Sequence, residues 1–346
     1  MEGTIGEKVL VTTHLIRVKD KLSGNYYYTF SGQDGKKQYG KTIELSGKMV
    51  NDTSVLLKEV GEDDFSFEGT LIDDRFTGSW HDAGDEEKVL PFEMKSFYPK
   101  GSLPFSVHYL KSDYILDDKN EDSPYADIEL VLAWPTGKYF LPEVADSVKK
   151  YVLNSFFGKD FKINLPDSML AVFEKEYYGN FDKQAGELYK KYHKIFNWEK
   201  VISMSVMFNS YYLLTLEYLR YAYSGGSHGI TNTSYDVINL RDGSLLKYEN
   251  VFKDNINDTL SILLTRKLKK DYGLYDTVSL KKAGFFYDTI KPNRNIFVNG
   301  NGIGFVYNNY EIAPSSQGTI TVFLPFDNIK NLIKKGTPVY PLSHGL

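Results

Sequence analysis

The chain has 346 residues, 42% hydrophobic and 25% charged, with 41 basic and 45 acidic side chains for a formal net charge of −4. That balance excludes a collagen, a disordered tail and a membrane bundle, and at about 100–200 residues per domain the length points to two or three domains. There is no overall basic footprint for nucleic acid, and a chain without cysteine has no disulfides, thiolate nucleophiles or thiolate metal sites.

Residues 1–100 hold 13 basic and 18 acidic side chains and the remainder 28 and 27. The front is therefore the acidic part, which serves solubility or steers a basic partner. No run of about 18 apolar residues occurs, so no helical membrane span is expected. The opening Met1-Glu2-Gly3-Thr4-Ile5 has neither the basic nor the apolar region of a leader. It fits a cytoplasmic chain, or a mature exported one whose leader is replaced by Met1. The 27 Tyr and 22 Phe, with many Asn, Gly, Ser and Thr, favour the exported reading: periplasm or outer cell surface; a lipid anchor on the full-length precursor is the further expectation if the chain is a structural lipoprotein domain.

In chain order, the first hundred residues read as a meander of strands near 8–18, 24–31, 40–48, 53–59, 65–72, 75–81 and 88–97. Tyr26, Tyr28 and Phe30 share one face at period two. Gly32-Gln33-Asp34-Gly35 and Asp73-Asp74 supply turns, and many short strands at even spacing predict a small barrel or sandwich. Tyr98-Pro99-Lys100-Gly101-Ser102-Leu103-Pro104 breaks both helix and strand and marks a boundary. Strands follow near 105–115 and 125–134; the nearly continuous apolar run 128–134 is expected at the centre of a sheet.

Pro142-Glu143 opens a helix with Val144, Val148, Tyr151 and Val152 on one side. A longer helical stretch spans 167–196, with Asp167 as N-cap and Gly179 and Gly186 as candidate breaks. Strands return at 200–208, 211–224 and 230–240, with a turn at Asp242-Gly243. An amphipathic helix covers 255–272, its apolar side formed by Ile256, Leu260, Leu263, Leu264 and Leu268. Short strands near 295–299, 303–307 and 319–324 and a helix from Phe326-Asp327 to Gly336 complete the chain. The expected class is α+β: an antiparallel meander over 1–100, then α+β stretches over 101–198 and 199–346 with antiparallel sheet and packed helices.

Chemistry-bearing motifs are weak. No histidine of His14, His81, His108, His193, His228 and His344 stands in a zinc-protease pair with Glu. Gly225-Gly226-Ser227-His228-Gly229 lacks the Lys-Ser/Thr of a phosphate loop, and Gly300-Asn301-Gly302-Ile303-Gly304 lacks dinucleotide spacing; both read as tight turns needing positive φ. Asp118, Asn120, Asp122 and Glu129 occupy four positions of a calcium loop, but Ser123 replaces its glycine and Glu129 falls in a strand, so the run reads as a solvated acidic turn. Asp63-Asp64 and Asp85-Glu86-Glu87 read the same way. No catalytic residue, metal or cofactor is assigned.

One set of motifs carries a family resemblance. Tyr221-Ala222-Tyr223-Ser224-Gly225-Gly226-Ser227-His228-Gly229 is followed by Asn239-Leu240-Arg241-Asp242-Gly243, Val251-Phe252 and Gly302-Ile303-Gly304-Phe305-Val306-Tyr307. Tyr310-Glu311-Ile312-Ala313-Pro314, Gly318 and Leu324-Pro325-Phe326 close the set. Together they resemble the RsiV-type extracytoplasmic domain of a lysozyme-sensing anti-sigma factor, which also stands beside some peptidoglycan deacetylases. The resemblance implies a non-catalytic cell-envelope binding module whose partner is lysozyme or a peptidoglycan fragment. Candidate binding residues are Tyr223, Gly225, Gly226, Ser227, His228 and Tyr310, at glycine-bent strand ends where aromatic groups suit recognition. The competing expectations are a glycan hydrolase using His228 with a nearby carboxylate and a purely structural lipoprotein domain.

Overall fold

The computed structural model describes residues 1–31, 37–61, 65–82, 84–120, 122–136, 141–161, 164–192 and 196–345. The turn read at Gly32–Gly35, the Asp63-Asp64 pair, the side chains at 85–87 and His193 lie outside the described residues.

The front of the chain is a closed antiparallel barrel. Its strands are β1 (Glu2–Ile5), β2 (Val9–Val18), β3 (Lys21–Ser31), β4 (Lys37–Tyr39), β5 (Ile43–Met49), β6 (Ser54–Glu59), β7 (Ser66–Ile72), β8 (Arg75–Asp82) and β9 (Asp85–Lys95). Eight of them follow one another around the ring, which closes where β1 pairs with β9 at Glu2↔Lys95; β4 adds to the far end of β3. An eight-stranded ring is just wide enough for side chains to fill it. Tyr26, Leu45, Leu57, Phe67, Phe76, Phe92 and Met94 do so, each large side chain contributing roughly 1.5–3 kcal/mol on leaving water. The sequence reading misses β1, which is too short to show a period. It places Tyr26 and Tyr28 on the inner face correctly, while Phe30, at the strand end, is 48% exposed.

Behind the barrel stands a six-stranded sheet, in the order β10 (Phe105–Ile115), β11 (Tyr125–Pro135), β12 (Trp198–Ser210), β13 (Leu213–Tyr223), β14 (Ile230–Asn239) and β15 (Ser244–Leu245). Strands from both sides of residue 198 build it. β11, with its apolar run, is internal as expected, and its junction with β12 is the sheet's parallel pairing. A parallel neighbour needs a long crossover, supplied by α1 (Pro142–Val152), a π-helical turn (Leu153–Phe157) and α2 (Pro166–Tyr192). α2 runs unbroken through Gly179 and Gly186, because Tyr177, Phe181 and Ala185 bury one side of it in the core. Asp167 is not the cap: Pro166 takes the first helical position and Asp167 lies inside the first turn.

A three-stranded sheet of β16 (Ile296–Val298), β17 (Gly302–Tyr307) and β18 (Ile320–Pro325) packs with α4 (Asn257–Asp271). Leu260, Leu264 and Leu268 of α4 meet Phe252, Phe305 and Val322 in its core. The short α3 (Tyr248–Val251) precedes α4. The single helix expected over 326–336 is instead α5 (Phe326–Ile329) with a 3₁₀ turn at Lys330–Leu332, and a further helix, α6 (Val339–His344), follows. The glycines at 300, 302 and 304 are not positive-φ turns. A Cβ there would lie 2.4, 2.5 and 2.0 Å from the rings of Tyr39, Phe323 and Phe297, so close packing of aromatics requires glycine.

The barrel is docked on the rest of the chain. Tyr27 of β3, on the opposite side of the strand from Tyr26, is buried, and its ring lies 5.8 Å from Phe208 of β12 and 5.5 Å from Tyr39. The Asn25 amide donates to the Val206 carbonyl at 3.0 Å, and Asn299 donates to the Thr42 hydroxyl at 3.0 Å.

Candidate functional site

The glycine corner is the tip of the β13–β14 hairpin, beyond the last rung at Ala222↔Ile230. Gly225 and Gly226 have φ of +88° and +109°, and the Phe196 ring packs on Gly225. The Tyr223 hydroxyl donates to the Gly226 carbonyl at 3.0 Å, and His228 Nδ1 donates to the Gly229 carbonyl at 3.2 Å. Gly226, Ser227 and His228 are exposed. Among the described residues His228 makes no ion pair with a carboxylate. Tyr310 sits elsewhere along the sheet margin, 52% exposed at φ +67°. Its neighbour Asn308 accepts the Thr233 N–H at 2.7 Å and donates to the Thr233 carbonyl at 3.0 Å, which satisfies the outer edge of β14. No hydrogen bond or ring contact among the described residues joins Tyr310 to the corner.

Tyr223 belongs to a larger feature. Alternation along the strands sends even-numbered residues of β10, β11, β13 and of β12 as far as its bulge at Val206/Phe208 toward the helices, and odd-numbered ones to the other side. The barrel covers only part of that other side, where Tyr109 lies under the Lys19 ammonium at 5.3 Å. The rest is open. Cross-strand register places Asp113, Asp127, Glu199 and Tyr223 side by side in one row over four strands. The next row is Lys111, Glu129, Val201, Tyr221 and Thr231. Ile115, Tyr125 and Leu219 on the same side are 49%, 36% and 37% exposed.

The two rows differ in electrostatics. In the second, the Lys111 ammonium meets Glu129 at 3.0 Å. In the first, none of Asp113, Asp127 and Glu199 has an ion-pair partner among the described residues. Partial burial raises the Asp127 pKa, and the charges of Asp113 and Glu199 beside it raise it further. Glu199 acts in turn on Tyr221, whose hydroxyl pKa is raised first by desolvation and then by that carboxylate. Like charges directly opposite on a sheet destabilise it by roughly 0.2–1 kcal/mol per pair.

Residue spacing within one strand could not show this row, because its members come from segments up to 110 residues apart and meet only through register. The acidic turn beside it is built from its own bonds: Asp122 N–H donates to Asn120 Oδ1 at 3.1 Å, and Asn120 N–H donates to the Asp117 carbonyl at 3.1 Å. Glu129 lies in β11, away from that turn, and is held by Lys111 of β10. Among the described residues no cluster of three or more His, Asp or Glu has the geometry to hold a metal ion. No described helix is long and apolar enough to cross a membrane.

Residues 249–327 match the family described as "Protein of unknown function (DUF3298)". The chain is 21% identical over 237 residues to the peptidoglycan-N-acetylmuramic acid deacetylase PdaC of Bacillus subtilis (strain 168), covering 67% of this chain and 47% of that protein. It thus spans about half the length of that curated relative. The crystal structure of a DUF3298 family member from Bacteroides fragilis shares the fold at a TM-score of 0.62 and 21% identity, over 70% of this chain and 99% of the other. A DUF3298 protein from Pseudomonas aeruginosa PAO1 aligns at a TM-score of 0.46 and 15% identity, over 67% and 95%. Behind the eight-stranded barrel, residues 249–327 thus match a family of unknown function, DUF3298, and the chain is distantly similar to a peptidoglycan deacetylase.

Proposed function

We propose that this chain is an extracytoplasmic cell-envelope module that recognises a cationic protein of the lysozyme kind through the open face of its six-stranded sheet. The observation that carries the reading is the carboxylate row Asp113, Asp127 and Glu199, without an ion-pair partner among the described residues, ending on Tyr223. A row of like charges costs stability when the protein is alone, and a basic surface laid on it removes that cost. Clustered carboxylates raise the encounter rate with a basic partner. Tyr221, Tyr223 and Tyr125 supply rigid, amphipathic contact area at low entropic cost. The glycine corner then acts as the rim of this face, bending the chain so that Tyr223 stays on the sheet, and His228 contributes from the tip. The relation to a peptidoglycan deacetylase and the RsiV-type motifs support an envelope location.

Titration calorimetry with hen lysozyme tests the reading. Binding is expected, weakening as salt rises from 50 to 300 mM because the attraction is screened. Asp113→Lys with Asp127→Lys is expected to abolish it, while His228→Ala weakens it modestly. Binding of soluble peptidoglycan fragments with no response to lysozyme shifts the reading to a glycan receptor. Absence of heat with either ligand sinks the proposal.

A further inference from the structure

The helix-covered side of β10 carries a second arrangement, unrelated to the open face. Ser106 and His108 stand two residues apart on one side of the strand. Ser106 Oγ lies 2.9 Å from His108 Nε2, and His108 Nδ1 lies 2.8 Å from Asp167 Oδ1 in the first turn of α2. The hydrogen-bond roles follow from chemistry. An ionised carboxylate only accepts, so Nδ1 carries the proton and donates to Asp167. In a neutral imidazole Nε2 is then the acceptor, so the Ser106 hydroxyl donates to it. The alternative acceptor for that hydroxyl, the Trp134 carbonyl, is farther away at 3.4 Å. This is the connectivity of a nucleophile, a general base and a group that fixes the tautomer of the base.

We propose that Ser106, His108 and Asp167 form an acyl-transfer site that hydrolyses small carboxylic esters. Ser106 Oγ bonds to the ester carbonyl carbon while its proton passes to His108 Nε2. The carbon–oxygen bond to the alcohol breaks, and His108 returns the proton to the leaving alkoxide. A water, deprotonated by His108, then attacks the acyl carbon, the bond to Oγ breaks, and Ser106 regains its proton. One ester and one water give one alcohol and one acid. Asp167 lies in the first turn of a 27-residue helix, so the positive end of its dipole favours the ionised carboxylate that holds His108. The imidazole is well shielded at 19% side-chain exposure, but Asp167 is open at 82%. A solvated carboxylate supports the imidazolium weakly, which suits an ester, with its good alkoxide leaving group, over an amide. Asp167 is a positioning residue; Ser106 and His108 touch the reacting atoms.

The test uses the full chain with a fluorophosphonate probe, read by intact mass and peptide mapping, together with p-nitrophenyl acetate turnover and a thermal melt of every variant. One adduct on Ser106 is expected, with none on Ser106→Ala. His108→Gln is expected to label on the order of 100-fold more slowly. Asp167→Asn is expected to lower kcat about tenfold or more with KM and melting point unchanged, a split that a merely structural pin between β10 and α2 would not produce. If Ser106→Ala does not fold, Ser106→Cys serves: it must lose the fluorophosphonate adduct and gain one with iodoacetamide, in a chain with no cysteine of its own. No adduct on the folded chain, an adduct on another hydroxyl, or equal turnover by wild type and Ser106→Ala overturns the proposal.

Discussion

On β11, Ala126, Ile128, Leu130 and Leu132 are each 1% exposed or less in the core with α1 and α2, while Tyr125, Asp127 and Glu129, one residue along in each case, remain open or half-open to solvent. β13 repeats the contrast, with Leu216 and Tyr218 buried beside Leu219 and Tyr221. The covered side is apolar apart from specific hydrogen-bonded groups such as Ser106, His108 and Asp167. The open side tolerates a row of carboxylates. Burial therefore constrains one side through packing. The other is free to carry charge that costs stability, and such charge is informative about binding where the fold gains nothing from it.

Substitutions can break or sharpen this contrast. The largest effect is expected from Leu216→Ala, fully buried on the covered side: a loss of roughly 2–5 kcal/mol in urea unfolding, from the transferred methylenes and the cavity left behind. Val201→Ala, on the open side between Glu129 and Tyr221, is expected to cost less than about 1 kcal/mol. Equal losses at the two positions would contradict the two-sided description. Asp127→Asn is expected to stabilise the chain by roughly 0.2–1 kcal/mol at neutral pH, by removing the middle charge of the row.

The pH dependence gives the same substitution a sign. The folded-state pKa of Asp127 is raised, so the folded chain holds its proton to higher pH than the unfolded chain does. Stability contributed by this group therefore falls as pH rises from the ordinary aspartate range through the raised value. Asp127→Asn should flatten that limb of the stability–pH curve; an unchanged slope means that the row is not electrostatically strained. The smallest effect belongs to His228→Ala, an exposed tip residue bonded to its own neighbour, expected within about ±0.5 kcal/mol.

Much of the front domain was legible because its signals are local. Period-two alternation and turn residues located seven of its strands to within a few residues, and the apolar run at 128–134 placed β11 inside its sheet. Tyr27 was not legible: its alternation with Tyr26 and Tyr28 assigns it to the outside of the barrel, and it is buried there between Tyr39, His14 and the docked Phe208. The same applies to Gly300, Gly302 and Gly304, which look like turn glycines and are required by aromatic rings arriving from β4, β16 and β18.

The amino-acid order by itself determined an α+β chain with a β-meander in front, a break near 98–104 and a glycine-bent hairpin at 225–229, since each depends on neighbours a few positions apart. Only tertiary structure decided that Asp113, Asp127 and Glu199 form one row and that Asp167 meets His108 from 59 residues away. Those encounters are set by strand register and by the crossover that returns α2 over β10, long-range geometry that no local periodicity encodes.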